Sequence, residues 1–310
     1  MGVNTPSDFP YHIVNAARTT FNKEFREGQI DETWKSLCTE VPSTKSKEVY
    51  AMLGATPKMR EWIDERLPKL IKEYGFEILN KKYEASIAIT EEAIEDDQTG
   101  QIMLAIRDLA NEARRFPGER AMEVLVGGVS AECYDGQYFF DTDHSEGASG
   151  TQSNDLTLEL TSDNLATVRA TMLRYKDDKG KPMGIVGDTL IVPPELEKTS
   201  LELIGATEIA RYVASGTDSA PTINVHRGKY TVIVNPFITD VDSWYFACCN
   251  RPTKPLIYQT RRAPRFITLG GTGSVSDDWF NSGVIKMGVD ARFNIGYGNW
   301  RYCIACVPTS

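Results

Sequence analysis

Apolar and polar positions alternate along this chain with two periods. The helical period is clearest after the acidic run EEAIEDD (91–97), where Ile102, Ala105, Ile106, Leu109 and Ala113 recur at i, i+3, i+4, i+7 and i+11. Glu95, Asp96 and Asp97 stand just ahead of this stripe, where carboxylates favour a helix N-terminus and can cap it. Pro117-Gly118 predicts an interruption, followed by a shorter helix over ERAMEVLVGG that ends at Gly127-Gly128. Residues 11–28 fit one amphipathic helix. A further helix starts at Ser162 or Asp163 and carries Leu165, Val168 and Met172 on its apolar side. TLIVPPELEKTSLELIG predicts a buried strand, a Pro-Pro stop and another helix.

The strand period is clearest at Tyr83, Ala85, Ile87 and Ile89, which alternate with polar or small residues. An earlier strand-like run, YGFEIL, is separated from it by Asn80-Lys81-Lys82, and Gly54, Pro57 and Pro68 punctuate what comes before. Residues 51–90 therefore form a long, hairpin-like excursion with no compact domain in view to receive its apolar face. KYTVIVNPFI and SWYFACC are apolar strands, and the last segment, VIKMGVDARFNIGYGNWRYCIACVP, is expected to form paired strands that close a sheet. Helices and strands follow one another without a repeat, which predicts an α+β fold. The first fifty residues are polar and weakly patterned, as an arm that packs on something else would be; alone they bury too little to offset their ordering entropy.

Composition narrows the function. The 310 residues are 41% hydrophobic and 25% charged, with no apolar run long enough for a membrane span. MGVNTPSDFPYHIV lacks a secretory pattern, and Pro6 stands where a myristoylation motif needs Ser or Thr. A net charge of -9 and a pI of about 5.1 argue against bulk binding of nucleic acid, so any contact with it is local or weak. Six scattered cysteines, among them Cys248-Cys249 and the CIAC pair Cys303 and Cys306, point to buried reduced thiols in a cytoplasmic protein.

Three stretches invite a chemical reading. YDGQYFFDTDH ends in Asp141, Asp143 and His144, the residues a metal-dependent hydrolase would use. A catalytic metal needs three or four ligands converging from rigid elements, however, and Asp and His after an aromatic strand commonly serve a turn. LGGTGS (269–274) lacks the Lys-Ser/Thr of a phosphate loop. RPTKPLIYQTRRAPRF carries Arg251, Lys254, Arg261, Arg262 and Arg265 with no acid, which favours pairing with acidic surfaces of neighbouring subunits over nucleic acid.

Five segments, in order and spacing over residues 48–301, resemble the Mu-like major head subunits of tailed bacteriophages. They are EVYAMLGATPKMREW, YGFEILNKKYEASIAITEEAIEDDQTG, YDGQYFFDTDH, YKDDKGKP with LIVPPELE, and GVDARFNIGYGNWR. The resemblance implies a Hong Kong 97-like capsid fold: an N-terminal arm (1–50), an extended loop (51–90), a peripheral domain with a spine helix (91–155), an axial domain (156–272) and a return to the peripheral domain (273–310). It implies a major capsid protein that is no enzyme and needs no cofactor, forming hexamers and pentamers of an icosahedral shell around double-stranded DNA. The same fold could serve a gene-transfer particle. Implied partners are further copies of the chain, a portal and decoration proteins, with assembly in the host cytoplasm. Many such proteins begin with a long helical scaffolding segment. This chain begins almost directly with the arm, so scaffolding is expected as a separate protein or as a segment already removed. No lysine–asparagine crosslink can be assigned to any pair. Tyr83, Ile87 and Ile89, with the five basic residues of 251–265, are the expected subunit-interface residues.

Overall fold

The computed structural model describes residues 9–28, 31–53, 73–90, 92, 93, 96, 100–212, 219–268, 281 and 283–308. The polar N-terminal stretch forms α1 (Phe9–Glu27), a 3-10 turn (Thr33–Leu37) and β1 (Cys38–Pro42). β2 (Lys47–Leu53) and β3 (Glu73–Leu79) pair antiparallel, so the excursion does fold back on itself. Its far part, 54–72, lies outside the described residues, as do LGGTGS, Glu95 and Asp97. β4 (Lys81–Thr90) does not pair with β3; it runs antiparallel to β12 (Val284–Tyr297). A four-stranded sheet results, in the order β1-β11-β12-β4, where β11 is Leu256–Thr268.

One face of this sheet is covered by α1 and by α2 (Gln101–Val126). Alternation along β12 sends Ile285, Met287 and Val289 toward the helices, where they cluster with Ala17, Phe21, Ile106, Leu109 and Ala110. Ile89 is buried in that cluster, and Ala85 and Ile87 pack at its edge. Tyr83 stacks between Phe116 and Phe293, at 4.9 and 4.7 Å between ring centroids. The apolar face of β4 is thus received by the chain's own helices, contrary to the expectation that nothing here would receive it. The N-terminal arm likewise finds its packing surface on α2.

The larger core surrounds a second sheet, ordered β5-β13-β10-β6-β9: Asp155–Leu156, Cys303–Cys306, Trp244–Ala247, Thr189–Val192 and Thr231–Val234. α3 (Ser162–Arg174), capped by Thr161 Oγ1, buries Leu165, Val168 and Met172 there. α4 (Glu197–Gly205) follows the Pro-Pro stop, and β7 (Glu208–Tyr212) pairs with β8 (Ser219–Ile223). The C-terminal strands do not pair with each other. β12 belongs to the four-stranded sheet and β13 to this one. The 13-residue β11 pairs with β12 along most of its length, so one sheet joins residues from before and after position 272.

Pro117-Gly118 does not interrupt the helix. α2 runs unbroken for 26 residues, about 39 Å at 1.5 Å per residue. Pro117 cannot donate to the carbonyl one turn back, but both residues are buried and Gly118 packs against Trp34. A Cβ on Gly118 would lie 2.7 Å from Trp34 Cδ1. The N-cap is Gly100, at φ 71°, rather than an acid of the 95–97 run. Among the described residues no helix is long and apolar enough to cross a membrane.

The hairpin is rooted on the other face of the four-stranded sheet. Tyr50 OH donates to Gln259 Oε1 at 2.7 Å, Gln259 Nε2 donates to the Ile78 carbonyl at 3.1 Å, and Asn294 Nδ2 donates to the Leu79 carbonyl at 2.8 Å. Gly296 makes room for this root, since a Cβ there would lie 2.6 Å from Ile78 Cδ1. Gly296→Val should therefore lift the hairpin root. Overpacking of this kind costs about 1–3 kcal/mol in denaturant unfolding. Amide exchange should speed up across 47–53 and 73–79, while the amides of β10 and β13 stay protected.

Candidate functional site

The aromatic run before the Asp-Thr-Asp-His motif forms no strand of its own. Phe139 and Phe140 are buried in the larger core, and the segment is held by isolated bridges, Glu132 with Tyr138 and His144 with Gln152. The motif's acids do not converge. Asp143 is exposed, and Asp141 Oδ1 accepts from the neighbouring Thr142 N–H at 2.7 Å. His144 alone turns inward, fully buried and stacked on Trp300 at 4.0 Å with a 7° interplanar angle.

Of the groups that meet His144, Asp135 belongs to the same YDGQYFFDTDH stretch and Asn154 lies beyond it. His144 Nδ1 lies 2.8 Å from Asp135 Oδ2, and Cys133 Sγ donates to Asp135 Oδ1 at 3.0 Å. Cys133, Asp135 and His144 bring their ligand atoms within 4.8 Å of one another, so the type and number of donors would admit a metal. Their chemistry does not. Asn154 shares its Nδ2 hydrogens among the carbonyls of Phe139, Trp300 and Cys303, which turns its Oδ1 toward His144 Nε2 at 3.1 Å. Nε2 therefore faces an oxygen that also accepts from the Asp141 N–H. Burial pushes the Asp135 carboxyl up, but the hydrogen bonds from His144 and Cys133 outweigh it and hold the group below its ordinary range. Both ring nitrogens are thus engaged within the fold, Nδ1 by the Asp135 carboxylate and Nε2 by Asn154 Oδ1. Burial, reinforced by Asp135, keeps the Cys133 thiol protonated.

A second buried group ties the same loop to the C-terminal region. Arg301 Nη1 donates to Glu146 Oε1 at 3.1 Å and to Tyr134 OH at 2.9 Å, and its Nε donates to the Lys176 carbonyl at 3.1 Å. Arg301 and Glu146 are both buried. The whole arrangement is a buried polar staple. His226 is a core histidine, its Nε2 2.9 Å from the Ser162 carbonyl. Cys303 and Cys306 are buried free thiols whose ionisation is suppressed by burial.

The basic stretch is less bare than its sequence implies. Arg262 Nη2 and Arg265 Nε both reach Asp290, at 2.5 and 2.7 Å. Arg251 donates to the Gly184 carbonyl at 3.3 Å and lies over the Tyr302 ring. Lys254 Nζ donates to the Lys35 carbonyl at 3.3 Å. Arg261 is exposed on β11.

Two outcomes follow from the staple. Asp135→Asn should cost about 1–3 kcal/mol at neutral pH, the scale for leaving buried hydrogen-bonding groups unsatisfied. With its folded-state pKa depressed, the carboxylate stabilises the fold above its unfolded pKa near 4, and that share is lost as pH falls through the lower folded value. Urea unfolding of the variant should accordingly lose less stability than the unaltered chain between about pH 5 and pH 2. Metal analysis of the purified full chain should return only background zinc and manganese. Stoichiometric metal that disappears in Asp143→Ala would reverse the assignment of this loop.

Known proteins place this geometry. Residues 13–159, 154–238 and 239–307 match the family model described as Mu-like prophage major head subunit gpT. The chain is 28% identical over 291 residues to the Mu-like prophage FluMu major head subunit of Haemophilus influenzae, covering 93% of this chain and 71% of that protein. It is 23% identical over 294 residues to the major capsid protein of Escherichia phage Mu, covering 94% and 72%. Among solved structures, the procapsid of bacteriophage JBD30 superposes with a TM-score of 0.57 at 24% identity, over 99% of this chain and 77% of that one, which places the fold among Hong Kong 97-like capsid proteins. Matched along nearly its whole described length, the chain belongs to the Mu-like major head subunit gpT family of structural capsid proteins.

Proposed function

We propose that many copies of this chain close as hexamers and pentamers into the icosahedral head of a tailed phage or prophage, around packaged double-stranded DNA. The family match along nearly the whole chain carries this reading. The staple agrees with it, because His144, Asp135, Arg301 and Glu146 are spent on each other and on backbone. The chemistry of such a protein is contact between neighbours. Each contact is modest, and repetition around a closed shell multiplies it.

The five-part division into arm, extended loop, peripheral domain, axial domain and return serves as the working anatomy. Pairing along β11 and β12 favours grouping β11 with the peripheral part. Tyr83, Ile87 and Ile89 are turned toward the chain's own helices, which moves the interface role of the excursion to its far part, residues 54–72. Arg261 is an exposed member of the basic stretch, within reach of a neighbour. A separate scaffolding protein, a portal and decoration proteins complete the assembly, which takes place in the host cytoplasm. DNA contacts stay weak and local, in keeping with a net charge of -9.

The test is electron microscopy of the full chain expressed with its candidate scaffold, where closed shells are expected. Deleting residues 60–72 should leave cooperative unfolding of the subunit intact and abolish closed shells. Normal particles from the deletion variant would remove the clamp role of the excursion, and absence of shells from the unaltered chain would remove the shell reading itself.

A further inference from the structure

Alternation along β12 leaves Asp290, Arg292 and Asn294 on the sheet face turned away from α1 and α2. The register there is unusual. Arg262 of β11 stands directly opposite Arg292 of β12, and Arg292 stands opposite Lys82 of β4. Three cations therefore form one row across three strands, spaced at about 4.8 Å. Like charges directly opposite one another destabilise a sheet, so a chain of net charge -9 gains nothing from this row by itself.

Little among the described residues offsets it. Arg262 reaches Asp290, but Asp290 is shared with Arg265. The buried Nε atoms of Arg262 and Arg292 have no acceptor among the described residues, and Lys82 is exposed. The row is bounded on one side by the hairpin root, where Asn294 holds the Leu79 carbonyl, and on the other by Glu84 opposite Asp290. This makes a cationic trough one residue wide. A passing line of duplex phosphates would run over Glu84, whereas a compact pair of carboxylates would fit inside.

We infer that the row formed by Arg262, Arg292 and Lys82 seats carboxylates of a second copy of this chain, supplied by the acidic turn that holds Glu92 and Asp96. Both residues are exposed, and the Asp96 N–H donates to the Glu92 carbonyl at 2.9 Å, one helical turn apart. Side chains so related stand about 5–6 Å apart, which matches the strand spacing of the row. The turn follows Thr90, at the opposite end of β4 from Lys82, about 26 Å away at roughly 3.3 Å per residue. The strand holds donor and seat apart within one subunit, and a neighbouring copy can join them. The inference rests on the shell reading, since the neighbours of a shell subunit are its own copies.

Arg292→Gln gives a signature that a purely structural role would not. Relief of like-charge repulsion should leave the thermal midpoint of the isolated subunit unchanged or raised, while the yield of closed particles falls about tenfold. Arg292→Glu should abolish particles, and adding Glu92→Lys with Asp96→Lys should restore them to within about threefold of the unaltered yield. A midpoint that falls together with yield, unchanged yield, or failure of the reciprocal swap would overturn the inference. Normal yield with lost DNA retention would overturn it in favour of phosphate. A measurement independent of shells is mixing separately purified Arg292→Cys and Asp96→Cys chains under mild oxidation. A mixed disulfide dimer, absent from either variant alone, is expected; without one the inference fails even if the unaltered chain never closes a shell, the outcome that would separately defeat the shell reading.

Discussion

The strict two-sidedness of β12 is the constraint on which the rest of the peripheral architecture depends. The strand pairs with β4 over 284–293 and with β11 over 287–297, so each side chain must go either to the helices or to the opposite face. A slip of one residue would exchange Ile285, Met287 and Val289 for Lys286, Gly288 and Asp290 against α1 and α2. β11 meets this demand with two irregularities, one between Thr260 and Arg262 and one between Arg262 and Arg265. Each inserts one residue and so reverses the alternation. Together they restore it, so that Thr260 and Phe266 both face the helices despite the odd-looking run TRRAPRF between them.

The larger core has a different organiser. Asn154 takes hydrogen bonds from the Asp141 N–H and His144 and donates to three carbonyls, one from the loop and two from the C-terminal region. A buried amide with that many partners has one orientation. His144, Trp300, Arg301 and Glu146 then assemble around it as a polar layer with defined geometry. Buried charges of this kind add little net stability compared with an apolar packing, and their effect is to penalise every alternative arrangement of the loop.

Local period was legible in the sequence, and long-range pairing was not. The stripe of Ile102, Ile106, Leu109 and Ala113 and the alternation from Tyr83 to Ile89 announced α2 and β4, because both follow from neighbouring residues alone. Pro117-Gly118 misled because the pair is buried, with Gly118 against Trp34 more than eighty residues earlier in the chain, which nothing near it reveals. The partners of β4 and β13 lie at sequence distances over which pattern carries no information about register. The Asp-Thr-Asp-His motif was legible as a loop, but the groups His144 uses were Asp135 and Asn154 on either side of the motif. Polar residues of a turn advertise hydrogen bonding without naming the partner. The basic stretch showed its charge and hid Asp290, which faces it from the next strand.

The order of strands β1-β11-β12-β4 also sets a schedule. β1 pairs only with residues 256–260 and β4 only with residues 284–293, so every ladder of this sheet waits for the last part of the described chain. On the ribosome, α1, the hairpin, β4 and α2 are made long before β11 and β12, the strands that complete their sheet. Loop closure over such distances makes folding slow, and the early segments spend that time without their sheet. A half-made chain consequently has neither the seated hairpin root nor the formed sheet face that a neighbour would recognise. The topology defers recognition between copies until synthesis is nearly complete, a form of quality control written into connectivity.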